Sequence, residues 1–99
     1  MTTISAHSLL RRTENHLETE LDGEAVLMHI GSGDLYGFAD TAKEIWEQLS
    51  APISFGNLID HLIEQFEVDR DTCITEVSQF LFELEKQDII EIDIAEMPA

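Results

Sequence analysis

Few side chains in this sequence have the type and spacing that catalysis requires. Neither the His-x-x-x-His nor the Glu-x-x-His spacing of a helical metal site occurs among its four histidines, His7, His16, His29 and His61. The single cysteine, Cys73, has no histidine nearby in the sequence and no Cys-x-x-Cys partner for zinc. Gly31 and Gly33 fall in a turn between strands and form no phosphate loop. We therefore expect a protein that is not an enzyme and holds no metal or cofactor.

Acidic residues dominate the charge of the chain. It has 21 Asp and Glu against 5 Lys and Arg, which gives a formal net charge of −16. Such a negative potential repels phosphate backbones and anionic lipids, so we expect no nucleic-acid partner and no membrane partner. No apolar run approaches the roughly 18 residues that span a membrane. Arg11 and Arg12 follow the first apolar residues, the reverse of a secretory signal, which predicts a cytoplasmic protein.

Period-two patterns predict three antiparallel strands in the first half of the chain. In 16–21, Leu17, Thr19 and Leu21 alternate with charged or polar residues, which predicts one buried face and one wet face. Asp22-Gly23 supplies a tight hairpin, and 24–30 reads as a central strand because both of its faces carry apolar groups. A third strand is predicted at 35–38, after a turn.

Helical signals follow these strands. Asp40 or Thr41 is placed to cap a first helix, and Thr41-x-x-Glu44 matches a capping box. Ser54 and Asp69 are placed to cap a second and a third helix. The segment 89–94 alternates loosely and could add a last strand. The chain is therefore expected to be one domain at 14–94, between a flexible N-terminal segment at 1–13 and a tail at 95–99. Its predicted class is α+β, winged-helix-like, with a three-stranded antiparallel sheet followed by three helices.

One face of the third predicted helix does not fit the core. Phe82 lies roughly 140° from the centre of the apolar stripe of that helix. Polar residues surround it on the same off-core face: Thr75, Ser78, Gln79 and Glu85. Phe82 is then either a single exposed aromatic residue, which is common, or part of a binding surface.

The third predicted strand leaves a second question open. It pairs on one side only in a simple meander, and an open edge can accept a strand from another chain. Asp34, at its tip, supplies the only charge that would discourage such pairing. The edge is either free for a peptide or covered by the segment 89–94.

Four short motifs carry a resemblance to a known family. They are Asp22-Gly23-Glu24-Ala25-Val26-Leu27, Gly33-x-x-Tyr36-Gly37-Phe38, Ile45-Trp46-x-x-Leu49, and Phe80-Leu81-x-x-Leu84 followed by Ile89-Ile90. In their order and spacing, over about 17–92, the chain resembles the PqqD-like family of RiPP recognition elements. The resemblance implies a peptide-binding domain that is not an enzyme. It also implies that the leader segment of a ribosomally synthesised precursor peptide docks on the third strand, against the third helix.

The resemblance implies candidate binding residues and partners. The implied peptide-binding set is Asp34, Leu35, Tyr36, Gly37, Phe38, Ile74, Thr75, Ser78, Phe82 and Glu85. The bound leader would be presented to a modifying enzyme, such as a radical SAM protein or a leader peptidase. Family members often carry a basic residue near 34 and an asparagine near the first helix cap, where this chain has Asp34 and Asp40. We therefore expect a leader or partner with a basic surface.

A different function remains open from the charge alone. An acidic winged-helix-like domain could act as a regulatory or mimicry module that occupies a basic site on a nucleic-acid-binding protein.

Overall fold

A computed structural model describes residues 4–93, which form two small antiparallel sheets and three helices. The elements in chain order are β1 (Leu9–Arg12), β2 (His16–Leu21), β3 (Glu24–His29), β4 (Leu35–Phe38), α1 (Asp40–Gln48), β5 (Ile53–Ser54), α2 (Phe55–Gln65), α3 (Arg70–Lys86) and β6 (Ile90–Asp93). The three-stranded antiparallel sheet followed by three helices confirms the predicted α+β class. Within 4–93, no helix is both long and apolar enough to cross a membrane.

The predicted meander is present as a sheet in the order β2-β3-β4. Its central strand places Leu27 opposite Glu18 on one side and Tyr36 on the other. Asp22 and Gly23 join β2 to β3 with positive φ angles of 53° and 82°, the conformation that a tight hairpin turn requires. The Asp-Gly signal therefore identified this turn correctly.

The faces of β2 are the reverse of the prediction. Leu17 and Leu21 are 59% and 62% exposed, whereas the alternate side chains point at α1. Glu18 accepts a hydrogen bond from Trp46 Nε1 at 3.0 Å, and Glu20 accepts one from Lys43 Nζ at 3.0 Å. A buried indole N–H needs an acceptor, so the polar face of the strand lies against the helix. The expectation that the leucine face is buried was wrong.

A second sheet, in the order β5-β1-β6, was not predicted. We expected a flexible segment at 1–13, but Leu9–Arg12 forms β1 and Leu10 is fully buried. One buried residue in a four-residue strand gives too short a pattern to detect. The predicted last strand exists as Ile90–Asp93, and it pairs with β1 instead of β4. The predicted tail at 95–99 lies outside the described residues.

Two of the three helix starts are capped as predicted. Ser54 Oγ accepts from the N–H of Asn57 at 3.2 Å, and Asp69 Oδ2 accepts from the N–H of Thr72 at 3.1 Å. The first helix differs, because Ala39 occupies its N-cap position and no side chain caps it. Asp40 instead adopts a left-handed φ of 53° at the sharp corner between β4 and α1. The proposed capping by Asp40 or Thr41 was therefore wrong.

Trp46 lies at the centre of the core and joins its layers. The guanidinium carbon of Arg12 lies 3.8 Å from the centre of the indole ring, and the ring of His16 meets the indole edge-on at 5.1 Å. Burial, and then the charge of Arg12, lower the pKa of His16, so its ring is neutral at pH 7. Cys73 is buried, as its residue type predicted.

Candidate functional site

The outer edge of β4 has no partner strand among residues 4–93. The N–H of His29 donates to the carbonyl of Asp34 at 2.9 Å, which makes this opposed pair hydrogen-bonded. Because hydrogen-bonded pairs alternate along an antiparallel ladder, the next ones are Leu27 with Tyr36 and Ala25 with Phe38. The backbone N–H and C=O groups of Leu35 and Gly37 therefore point away from β3, towards the open edge.

The other side of β3 supports this assignment. The N–H of Ile30 donates to the carbonyl of Asn15 at 2.9 Å, and this pair continues the register of β2 with β3. Because hydrogen-bonded pairs occur at every second residue from Ile30, the backbone of Met28 bonds to β2 and that of Leu27 bonds to β4. A central strand must alternate in this way between its two neighbours. Both ladders thus agree on which β4 groups are free.

Side chains on the inner face of β4 hold this edge against α3. The hydroxyl of Tyr36 donates to Gln87 Oε1 at 2.9 Å, and the ring of Phe38 meets that of Phe80 at 5.5 Å and 80°. Partial burial, and then the negative charge of Asp34, raise the pKa of the Tyr36 hydroxyl, so it remains a hydrogen-bond donor at neutral pH. Tyr36 meets the end of α3 and Phe38 meets its middle, so strand and helix run in opposite directions.

A cleft with aromatic and acidic side chains in its walls runs along the Phe80 side of α3, and the contact of Phe80 with Phe38 links it to β4. One part is a shallow concavity that includes Phe80 and Phe82, and the next is a cavity of about 200 Å³ between α3 and the start of α1. Glu76 and Glu83 line the cleft, and neither carboxylate forms an ion pair within the described part of the chain. The cleft is suited to an extended chain with apolar and cationic side chains.

The structure brings part of the predicted site together. The five residues 34–38 lie in succession along the open edge, and Phe82 lines the adjacent concavity. Ile74 is turned away, into a separate cavity with Ile4, Phe55 and Ile59.

The other predicted helix residues lie on different flanks of α3. Thr75 is exposed, and its hydroxyl donates back to the carbonyl of Asp71 at 3.0 Å. Ser78 and Glu85 line neither the shallow concavity nor the cavity next to it. Of the predicted residues on α3, Phe82 is therefore the one in the cleft described above.

Three residues of the cleft, Glu76, Phe80 and Glu83, were missed, and so was Gln87, which accepts the hydrogen bond of Tyr36. They recur at intervals of three and four residues along one flank of α3, so the spacing of a helical face was present in the sequence. Phe80 belongs to the motif Phe80-Leu81-x-x-Leu84, and the apolar stripe of the third helix by itself would place Phe80 in the core. Its ring is half-buried, and it packs on Phe38 while still lining the concavity.

Metal chemistry has no visible basis in this part of the molecule. Across 4–93, no three His, Cys, Asp or Glu side chains are grouped so as to hold a metal ion.

Comparisons with known proteins identify a family and two similar structures. The family described as coenzyme PQQ synthesis protein D (PqqD) matches residues 24–90. A structure of TbiB1 in complex with the TbiA(beta) leader peptide is 23% identical, with a TM-score of 0.76 over 82% of this chain and 94% of that one. Lasso peptide synthetase B1 complexed with the leader peptide is 21% identical, with a TM-score of 0.74 over 83% and 96%. These two likenesses show a shared fold. The search of curated proteins returned no match.

Proposed function

The chain belongs to the PqqD family, and from this premise we propose that it is a non-catalytic adaptor that binds the leader segment of a ribosomally synthesised precursor peptide. The peptide adds to β4 as a further strand. The adaptor then presents it to a maturation enzyme in the cytoplasm. Two similar structures, whose names describe complexes with leader peptides, support the proposal.

The observation that carries this proposal is the phase of the β4 ladder. Leu35 and Gly37 offer two N–H donors and two C=O acceptors in one line, and an extended peptide presents the complementary groups at the same spacing. Each such hydrogen bond contributes about 0.5–1.5 kcal/mol net. Backbone pairing alone is therefore modest, and side-chain anchors must supply the rest of the affinity.

Phe80 is the proposed apolar anchor point, and the acidic residues beside it favour a basic ligand. The ring of Phe80 is already fixed against Phe38, so little side-chain entropy is lost when a peptide side chain packs on it. Glu76 and Glu83 line the same cleft, in a chain of net charge −16. We infer that the leader carries lysine or arginine next to its apolar residues, because opposite charges speed the encounter.

Calorimetry with synthetic leader peptides of candidate short precursors, chosen from the genes adjacent to that of this chain, tests the proposal. We expect Phe80→Ala to weaken binding at least about tenfold, a loss of about 1.4 kcal/mol. Phe82→Ala is the matched aromatic variant on the outer rim, and we expect it to lose less. Thermal unfolding of both variants shows whether each is still folded, and so whether weaker binding comes from the lost contact or from a lost fold. Wild-type affinity in a folded Phe80→Ala variant would contradict this anchor, and no binding to the wild type would overturn the function.

The second partner requires a surface of its own. We propose that the maturation enzyme, of the radical SAM or leader-peptidase kind, docks on the outer face of the β2-β3-β4 sheet. Four apolar side chains are exposed there, and a peptide added to β4 would extend the same face: Leu17, Leu21, Met28 and Leu35. A second copy of the chain is a poor occupant, since each copy carries a charge of −16.

The two surfaces can be separated by mutation. We expect Leu17→Glu and Met28→Glu to prevent an immobilised, leader-loaded adaptor from capturing a candidate maturation enzyme chosen from the adjacent genes, while the leader affinity changes less than about twofold. Thr75→Glu, on exposed α3 surface, is the matched control. Equal capture by all three variants would exclude the outer face as the docking surface. The acidic mimicry function has no support beyond the charge, and we do not propose it.

A further inference from the structure

A second cavity lies beyond the cleft, where the start of α1, the end of α2 and the start of α3 meet. Its volume is about 190 Å³, and its walls include the apolar side chains of Leu62, Phe66, Cys73 and Val77. A protein cavity of about 150 Å³ with apolar walls is large enough to bind benzene. This cavity therefore has room for one branched aliphatic or aromatic side chain.

The cavity adjoins the cleft and shares wall residues with it. Thr41, Glu76 and Val77 line both this cavity and the cavity of about 200 Å³ next to it. Phe80 lines that neighbouring cavity, and its ring contacts Phe38 at the end of β4. The two cavities thus form a path along α3, which we call the channel, from Phe80 at the contact with β4 to Cys73.

A few residues of an extended peptide are enough to span this channel. Cys73 precedes Phe80 by seven residues, which is about 10 Å along a helix axis. An extended peptide covers that distance with about three residues. If the peptide pairs with β4 in the antiparallel sense, it passes Phe38 first, so the part that enters the channel precedes its paired segment.

From this geometry we propose that the cavity at Cys73 is a second specificity pocket. It accepts an apolar side chain about three residues before the segment of the leader peptide that pairs with β4. The inference rests on the proposed function. It adds a sequence requirement that strand addition alone does not impose, namely a leucine, isoleucine or phenylalanine at a fixed distance from the paired segment. Glu76, at the shared boundary of the two cavities, favours a lysine or arginine next to that residue.

Cys73 has the role of a wall in this pocket, and no covalent step is involved. Burial, and then the charge of Glu76, raise the pKa of its thiol, so the thiolate is scarce at neutral pH. Because it is the only cysteine in the chain, its modification reports on the pocket without ambiguity.

Protection of Cys73 from alkylation tests the inference. The probe is the synthetic leader peptide that binds in the calorimetry described above, and iodoacetamide is added at pH 8.5, where more thiolate is present. Mass spectrometry follows the rate. We expect a saturating peptide to slow the modification at least tenfold. A peptide in which the single apolar anchor is replaced by alanine, also at saturation, is expected to protect far less. Comparing the peptides at equal saturation removes the general stabilisation that any bound ligand gives.

A cavity-filling variant provides an independent readout. Cys73→Phe should bind the original leader peptide no more tightly than the peptide whose apolar residue is replaced by alanine. Its affinity for the alanine peptide should equal that of the wild-type protein. Val68→Phe, which fills the same cavity from its exposed rim, serves if Cys73→Phe does not fold. The pocket proposal is wrong if both peptides bind but neither protects Cys73, and if the filled variant still prefers the peptide with the apolar residue. Strand addition at β4 would stand in that case. Failure of any peptide to bind the wild type would instead overturn the proposed function.

Discussion

Replacing Gly37 with proline is expected to weaken leader-peptide binding by at least about tenfold while the fold remains intact. The N–H of Gly37 points to the open edge of β4, because Gly37 and Val26 form a pair without mutual hydrogen bonds. Proline removes this donor and places its ring where the added strand would lie. The peptide carbonyl left without a donor adds about 1–3 kcal/mol to the loss.

Gly37→Ala is the matched control for this variant. It retains the N–H, and φ at Gly37 is not positive, so a side chain is compatible with the backbone. A Cβ at this position would lie 3.4 Å from Glu24 Oε1, the mobile end of a flexible side chain. We therefore expect Gly37→Ala to bind nearly like the wild type. Proline at Tyr36 is a poorer test, since the N–H of Tyr36 bonds to β3 and its loss would damage the sheet.

The result for Gly37→Pro is read by calorimetry, with circular dichroism confirming that the variant is folded. Wild-type affinity in a folded proline variant would show that the peptide does not pair with this edge. Equal loss in the alanine and proline variants would show that the space at Gly37, rather than its N–H, is what binding requires.

Trp46→Ala is expected to destabilise the protein by about 3–5 kcal/mol, the usual cost of truncating a fully buried aromatic side chain. Small domains have a total stability of about 5–15 kcal/mol, so this variant is near the limit of folding. The loss is large because the indole contacts Phe38 and Arg12 and donates to Glu18, and so joins both sheets to α1.

Urea denaturation measures this effect, and Trp46→Phe separates its components. Phenylalanine keeps much of the packing and lacks the indole donor, while Glu18 keeps its ion pair with Arg12, so we expect a loss of about 0.5–1.5 kcal/mol. A Trp46→Ala variant that loses under about 1 kcal/mol would show that the described core is wrong.

The sequence predicted the parts of this fold that depend on local chemistry. Asp22-Gly23, Ser54 and Asp69 each act within four residues along the chain, and each was located correctly. Predictions failed where a distant partner decides the outcome. The polar face of β2 lies inward because Trp46 and Lys43 donate to it from α1, and β1 is ordered by pairing with strands that lie more than forty residues away.

The candidate site shows the same division. The order of the elements predicted an aromatic third strand and left undecided whether its outer edge is free; the structure forms this strand at 35–38 with no partner on that edge within 4–93. The flank of α3 that faces this strand could not be inferred from the sequence. A helical wheel gives the direction of the core but not the side of the helix on which the sheet lies. That side depends on contacts such as Tyr36 with Gln87, across 51 residues of chain.

Amide hydrogen exchange with and without the leader peptide tests the central claim most directly. In the free protein we expect the N–H groups of Leu35 and Gly37 to exchange quickly, and those of Tyr36 and Phe38, which bond to β3, to exchange slowly. A saturating peptide should slow exchange at Leu35 and Gly37 by at least about tenfold. Fast exchange at both residues in the saturated complex would contradict strand addition at β4.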